Sequence, residues 1–476
     1  MESNERSPRQ LFAGDEIVPS FASDMRRTSK LFLPIFLGQI ATTCMSVVDT
    51  VMSGMAGATQ LAGVAIGASL FWPGVLFLVG MSLTIQPTVA QLRGAGKTEL
   101  IPQKMHLATV IILITSVIVG IILGLLSLIY KMIPGADPEM AHVGQWYLIA
   151  VSAGMPAFAM YNILRGYWEG LGNTLPTSVF GFIALVLNIP LNYIFIFGFF
   201  GIPAFGGIGC GIATSLTMYL TCIFMYLYVR RAKCFARFRI YEHSFPIKKQ
   251  DVKDLLHFGI PLAFSLTVEV TCFSLVSLLL SPFGPIIVAS HSIAMNVSAF
   301  IFMIPMALAS ATTIRVGEAM GALHWRRALR TTLGSFILGG IFFILSISVL
   351  LITREQIVDL YTDDKEVMLL GSLLLIFCAF YQLPDFIQAI AIGVLRGFKD
   401  SKVIFAITIV AYWIAGMPVG YILAHGLFTG NPMAAQGFWI GFITSLTVAS
   451  ILYIIRIVYL FKTHNLPKTF HISVGE

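Results

Sequence analysis

Apolar residues run along this chain in long stretches broken only by short polar connections, without the narrow apolar stripes of a water-soluble helix. The hydrocarbon core of a bilayer is about 30 Å thick and takes about 20 apolar residues per helix. Read between the polar breaks, the pattern predicts twelve spans, near 31–53, 60–85, 105–131, 145–167, 176–199, 205–229, 254–281, 287–311, 330–352, 368–392, 403–425 and 435–460. Lipid offers no hydrogen-bond partner to a bare backbone, so each span is expected to be helical. The chain then divides into a polar tail at 1–30, a six-helix bundle at 31–229, a polar linker at 230–253, a second six-helix bundle at 254–460 and a tail at 461–476. Residues 1–30 lack the apolar core and cleavage site of a signal peptide and read as a short soluble segment.

Composition supports the membrane reading. The chain is 57% hydrophobic and 11% charged, with a mean hydropathy of +0.86, whereas soluble domains carry about 25% charged residues. A net charge of +7 raises the question of nucleic acid, and the placement of the basic residues answers it. With a cytoplasmic N-terminus, only Lys131, Arg354 and Lys365 of the 30 Lys and Arg fall on the outer side. That asymmetry is the positive-inside rule at work. It puts both termini and the linker in the cytoplasm, expects a cell inner membrane, and leaves no need for a nucleic-acid partner. The cysteines (Cys44, Cys210, Cys222, Cys234, Cys272, Cys378) are scattered, with no CxxC and no Cys/His cluster, so no disulfide framework or zinc site is expected. His291, inside an apolar run, reads as a hydrogen-bonded core residue.

The chain also repeats itself. Pro34 of LFLPIFLG pairs with Pro261 of LLHFGIPLAFS, 227 positions on, and the same spacing links Ala62 to Ala289 and Gly94 to Gly321. ILRG at 163–166 matches VLRG at 394–397, and NIPLNYI at 188–194 matches GMPVGYI at 416–422. Six spans per half is an even number, so both halves enter the membrane in the same sense. The expected fold is all-α and polytopic, with its two six-helix bundles related by a pseudo-two-fold axis along the membrane normal. Such parallel repeats characterise transporters that work by alternating access around a central path.

Three acids fall well inside predicted spans, Asp49 in VVDTVMSG, Glu269 in SLTVEVTC and Asp385 in YQLPDFIQ. A charge near the bilayer centre costs about 2.5–3.5 kcal/mol on insertion scales, and no Lys or Arg lies at comparable depth to offset it. Such carboxylates are held protonated or around a cation. Tyr381 lies one helical turn before Asp385, and Pro384 between them frees backbone groups. Sodium takes several oxygen ligands, which a Tyr hydroxyl, an Asp, a Glu from a neighbouring helix and freed carbonyls can supply. Asn188 and Asn192, four apart around Pro190, form a candidate second polar site with Asp49 in the first half. Each also has a plainer reading. Asp49 sits toward the end of its span like an interfacial acid, Glu269 and Asp385 read as structural hydrogen-bonding groups, Tyr381 reads as a packing aromatic, and the two Asn read as helix-to-helix glue. At the 227 spacing Asp49 faces Val276 and Glu269 faces Thr42, so the acids break the repeat. Enzyme motifs such as GxxxxGKS, HExxH and GxSxG are absent, so no catalytic residues and no cofactor are expected.

VVDTVMSGMAGATQLAGVAIGAS followed by PTVAQLRGAGK resembles the first two helices of the multidrug and toxic compound extrusion (MATE) family, and LNIPLNYIFIFG, VASHSIAMN, IRVGEAMG and LRGFKDSK extend the resemblance over about residues 28–460. It looks closest to the NorM branch. The resemblance implies a sodium- or proton-coupled antiporter that exports cationic, lipophilic drugs and dyes. It also implies a cation site whose Glu, Tyr and Asp fall on Glu269, Tyr381 and Asp385, with sodium as the metal, and a first-helix acid that falls on Asp49. The remaining expected partners are membrane lipids, and the chain is expected to act as a monomer. A flippase for a lipid-linked precursor is the nearest alternative, but it needs a strongly cationic cleft. A membrane receptor would need a large soluble domain, which the sequence lacks.

Overall fold

A helix is the one open-ended structure that satisfies its own backbone in lipid, and no strand occurs among the described residues of the computed structural model. It describes residues 20–132, 137–199, 201–236, 238, 240, 245–427 and 430–464. The helices are α1 (Phe21–Met55), α2 (Ala58–Ser82), α3 (Ile85–Gly94), α4 (Ile101–Leu126), α5 (Pro138–Ala153), α6 (Met155–Gly170), α7 (Leu175–Phe197), α8 (Gly207–Arg231) and α9 (Lys233–Ala236). They continue as α10 (Lys249–Leu279), α11 (Pro285–Gly321), α12 (Trp325–Asp359), α13 (Lys365–Gly397), α14 (Ser401–Thr408), a π-helical segment (Ile409–Gly416), α15 (Met417–His425) and α16 (Ala435–Thr463). Among the described residues, eleven helical stretches are long and apolar enough to cross a membrane. The bent pair α5 and α6 makes the twelfth.

The sequence explains where helices start and break. Asp137 accepts from the Met140 N–H at 2.9 Å, and Asp364 caps α13 by accepting from Glu366 and Val367. The span expected at 145–167 is broken at Gly154 and turns by 44°. There Pro156 opens α6, having no N–H to give to the turn before it. Residues 21–30, read above as part of a soluble tail, form the first turns of α1. Of the linker, α8 takes in residues to Arg231 and α10 begins at Lys249. The rest of the N-terminal tail, 1–19, and residues 465–476 of the C-terminal tail lie outside the described residues.

The chain resolves into two compact units. One is Leu33–Ala263. Its α3 and α6 pack closely through Gly170, where a Cβ would meet Val89 at 2.7 Å and the Gln86 carbonyl at 2.8 Å. At the same ends, Glu169 accepts from Arg165 Nε (2.8 Å), Thr177 Oγ1 (2.8 Å) and Gln86 Nε2 (2.7 Å), so its charge is fully engaged.

The other unit runs from Phe264 onward and takes in the chain up to Phe32. Asp24, in the first turn of α1, is bonded to Arg315 of α11 and accepts from Thr331 Oγ1 of α12 at 2.9 Å. Asp24 and Arg315 are 3% and 4% exposed. Breaking a buried pair by deleting one partner costs about 3–5 kcal/mol, because the other charge stays buried alone. We therefore expect Asp24→Ala to lower the melting temperature of the detergent-purified protein markedly, and Asp24→Ala with Arg315→Met to recover part of the loss. Wild-type melting of the single variant would show that the pair contributes nothing to stability.

Candidate functional site

In the unit that starts at Phe264, α10, α11, α13, the π segment and α16 surround two carboxylates. Glu269 of α10 accepts from Tyr412 Oη at 2.6 Å and from Gln388 Nε2 at 3.1 Å. Gln388 and Tyr412 are themselves bonded at 2.8 Å. Asp385, 4% exposed on α13, makes no hydrogen bond among the described residues but lies within electrostatic reach of Glu269. Tyr381, one turn earlier, is 6% exposed and meets the Trp439 ring edge-on at 5.7 Å. Glu269, Tyr381 and Asp385 thus fall in one neighbourhood. No Lys or Arg forms an ion pair with either acid among the described residues.

Tyr412 and Gln388 were not foreseen from sequence. Tyr412 reaches Glu269 because its helix is locally π-wound. Pro418 begins α15 just beyond and has no N–H for the preceding turn, which a wider turn accommodates. Trp413 Nε1 donates to the Val268 carbonyl at 3.2 Å and fixes the segment beside Glu269. Gln388 sits one turn after Pro384 on the Asp385 side of α13, a weak signal that the helical period alone carried.

The unit Leu33–Ala263 has its own polar centre. Asp49 Oδ1 accepts from Asn188 Nδ2 (3.0 Å) and Asn192 Nδ2 (2.6 Å), and Oδ2 accepts from Thr214 Oγ1 (3.1 Å). Asn192 also donates to Asn188 Oδ1 at 2.9 Å, and both Asn are fully buried. Asn192 Oδ1 has no partner among the described residues. Thr214 was not foreseen.

The donors around Glu269 and Asp385 are all oxygens or amides, and no group of three or more His, Cys, Asp and Glu gathers among the described residues. That chemistry suits a hard cation, a proton or an organic ammonium, and not a soft transition metal. A duplicated helical membrane architecture of this kind is that of a transporter. The comparisons say which kind. The MatE family model matches twice, at residues 34–194 and 261–422. The multidrug resistance protein NorM of Aliivibrio fischeri is 40% identical over 456 residues, covering 96% of this chain and 98% of its own length. Among solved structures, the eukaryotic MATE transporter AtDTX14 shares the fold at 19% identity, with a TM-score of 0.83 over 92% of this chain and 96% of its own. An outward-facing multidrug resistance MATE family transporter of the MOP superfamily matches with a TM-score of 0.78 at 21% identity, over 94% and 100% of the two chains. The chain belongs to the MatE family of multi-pass membrane transporters.

The π segment is held against α16 by glycines. A Cβ on Gly441 would stand 2.6 Å from Gly420 Cα and 2.8 Å from the Gly416 carbonyl, so neither backbone has room to yield. Overpacking of this kind costs about 1–3 kcal/mol. Gly441→Val is expected to lower the yield of monodisperse protein on size-exclusion chromatography. A wild-type elution profile and yield would refute the close-packing account.

Proposed function

We propose that this chain is a cation-coupled multidrug antiporter of the cell inner membrane, exporting cationic lipophilic compounds in exchange for sodium or protons by alternating access. One observation carries the reading. Asp385, buried, and Glu269, part-buried, lie within electrostatic reach of each other, with neutral donors around Glu269 and no basic partner for either among the described residues. An acid in an apolar slab has a strong affinity for any cation that reaches it. Two acids close together hold at most a share of their charge until a cation arrives. Such a site binds sodium, a proton or an organic cation, but not all of them at full strength.

Coupling follows from that competition. Entry of the small cation to Glu269, Tyr381 and Asp385 neutralises the charge that holds a cationic drug and weakens its binding. Tyr412 and Gln388 would complete an oxygen shell for sodium. Asp49, with Asn188, Asn192 and Thr214, supplies a second titratable centre in the other unit. The family match and the name of the Aliivibrio fischeri relative support drug export, and the distribution of Lys and Arg supports cytoplasmic termini.

The test is efflux of a fluorescent cationic dye from cells expressing the chain, with sodium or a proton gradient imposed in turn. Asp385→Asn is expected to remove the cation-stimulated efflux almost entirely at equal expression. Wild-type efflux from Asp385→Asn would sink the assignment. A response to protons alone would make the acids proton carriers and raise Asp49 in importance.

A further inference from the structure

His291 has no use in the scheme above, and its setting is odd for a core residue. It lies fully buried on α11, with Nε2 3.3 Å from Ser277 Oγ of α10. Ser277 spends its single hydroxyl proton on the Phe273 carbonyl at 3.4 Å. With that proton spent, Ser277 can accept from His291 Nε2–H, the tautomer that leaves Nδ1 as a bare lone pair. No described residue satisfies that nitrogen. Beside it stands Trp439, also fully buried, whose indole Nε1 can only donate and is likewise unpaired. The two rings meet edge to face at 6.1 Å. A free acceptor and a free donor are thus buried side by side in an apolar helix bundle. Unpaired polar atoms of this kind are costly, and a phenylalanine at 291 would fill the space without that cost.

The pair is wired to both phenols of the carboxylate site. Trp439 packs on Tyr381 at 5.7 Å and on Phe442 at 5.9 Å. Phe442 packs on Phe273 at 4.9 Å, and Phe273 packs on Tyr412 at 5.9 Å. A small rotation of the indole that brings its N–H onto His291 Nδ1 must move the surface against which Tyr381 rests. We infer that His291 is a positioning residue of the proposed cation site: it accepts a hydrogen bond from Trp439 that forms when Tyr381 engages the coupling cation. The inference rests on the reading that Glu269, Tyr381 and Asp385 hold that cation.

The experiment uses full-length protein reconstituted in vesicles, with dye efflux and tryptophan fluorescence recorded as sodium, or a proton gradient, is applied. Wild type is expected to show a cation-dependent shift in indole emission that Trp439→Phe removes. His291→Phe, which keeps the ring and deletes the acceptor, is expected to lose the shift. It should also need about tenfold more cation for half-maximal efflux, the scale of one hydrogen bond, while its dye requirement stays unchanged. His291→Asn places an oxygen near the position of Nδ1 and is expected to restore both. If His291→Phe does not accumulate, Trp439→Phe deletes the donor instead and is expected to show the same tenfold shift. A His291→Phe protein that matches wild type in cation requirement overturns the inference alone, as does a His291→Asn protein that fails to rescue. A wild type driven by neither gradient overturns the cation-site reading and this inference with it.

Discussion

Charge in an apolar slab is the constraint on which the rest of this structure turns. Where an acid can be matched with a base, the match is complete. Glu169 meets Arg165, Asp24 meets Arg315, and Asp400 meets Arg456 at 2.7 Å. These pairs sit at or close to helix ends, where Lys and Arg are affordable. Farther along the apolar runs, Asp49 and Glu269 are given amides, a hydroxyl and a phenol only, and the Asp385 carboxylate takes no hydrogen bond among the described residues. The two treatments differ in consequence. An acid locked to an arginine is a brace, whereas an acid held by neutral donors still attracts a cation.

The duplicated scaffold shows how one backbone supports two chemistries. NIPLNYI and GMPVGYI occupy corresponding places, so Asn188 and Asn192 correspond to Gly416 and Gly420. In the first unit the two amides reach Asp49 directly. In the second the glycines let α16 approach so closely that Gly441 has no room for a Cβ. The donor for the acid then comes from Tyr412, turned inward by the π segment. The halves share their prolines and their packing, and they diverge where the polar groups sit.

The spans, their count and the repeat were legible because lipid imposes one rule on all of them, an apolar run of sufficient length. The family model matches once in each half. Asp49, Glu269 and Asp385 were legible because a charge in such a run is conspicuous. Tyr412 was not, since a tyrosine among apolar residues looks like any packing aromatic and a π turn leaves no mark beyond the following Pro418. The extension of α1 back to Phe21 was hidden for a related reason. Its stabilising partners, Arg315 and Thr331, lie some 300 residues away in the chain, and a polar helix segment reads as a tail until its partner is known. His291 was read as a hydrogen-bonded core residue, and it is one through Nε2, while Nδ1, which the sequence could not show, has no partner among the described residues.

Partial satisfaction is what separates the proposed cation site from the structural ion pairs. Tyr412 and Gln388 converge on one oxygen of Glu269, and Asp385 takes no hydrogen bond from the described residues. A single hydrogen bond to a charged group contributes about 1.5–3 kcal/mol, far less than the several kcal/mol it takes to bury an ion. The deficit keeps the carboxylates receptive. A lysine at the position of Gln388 would remove it, and with it the basis of the proposed cation binding. On the proposed exchange mechanism, the neutrality of the donors is thus as necessary as the acidity of Glu269 and Asp385.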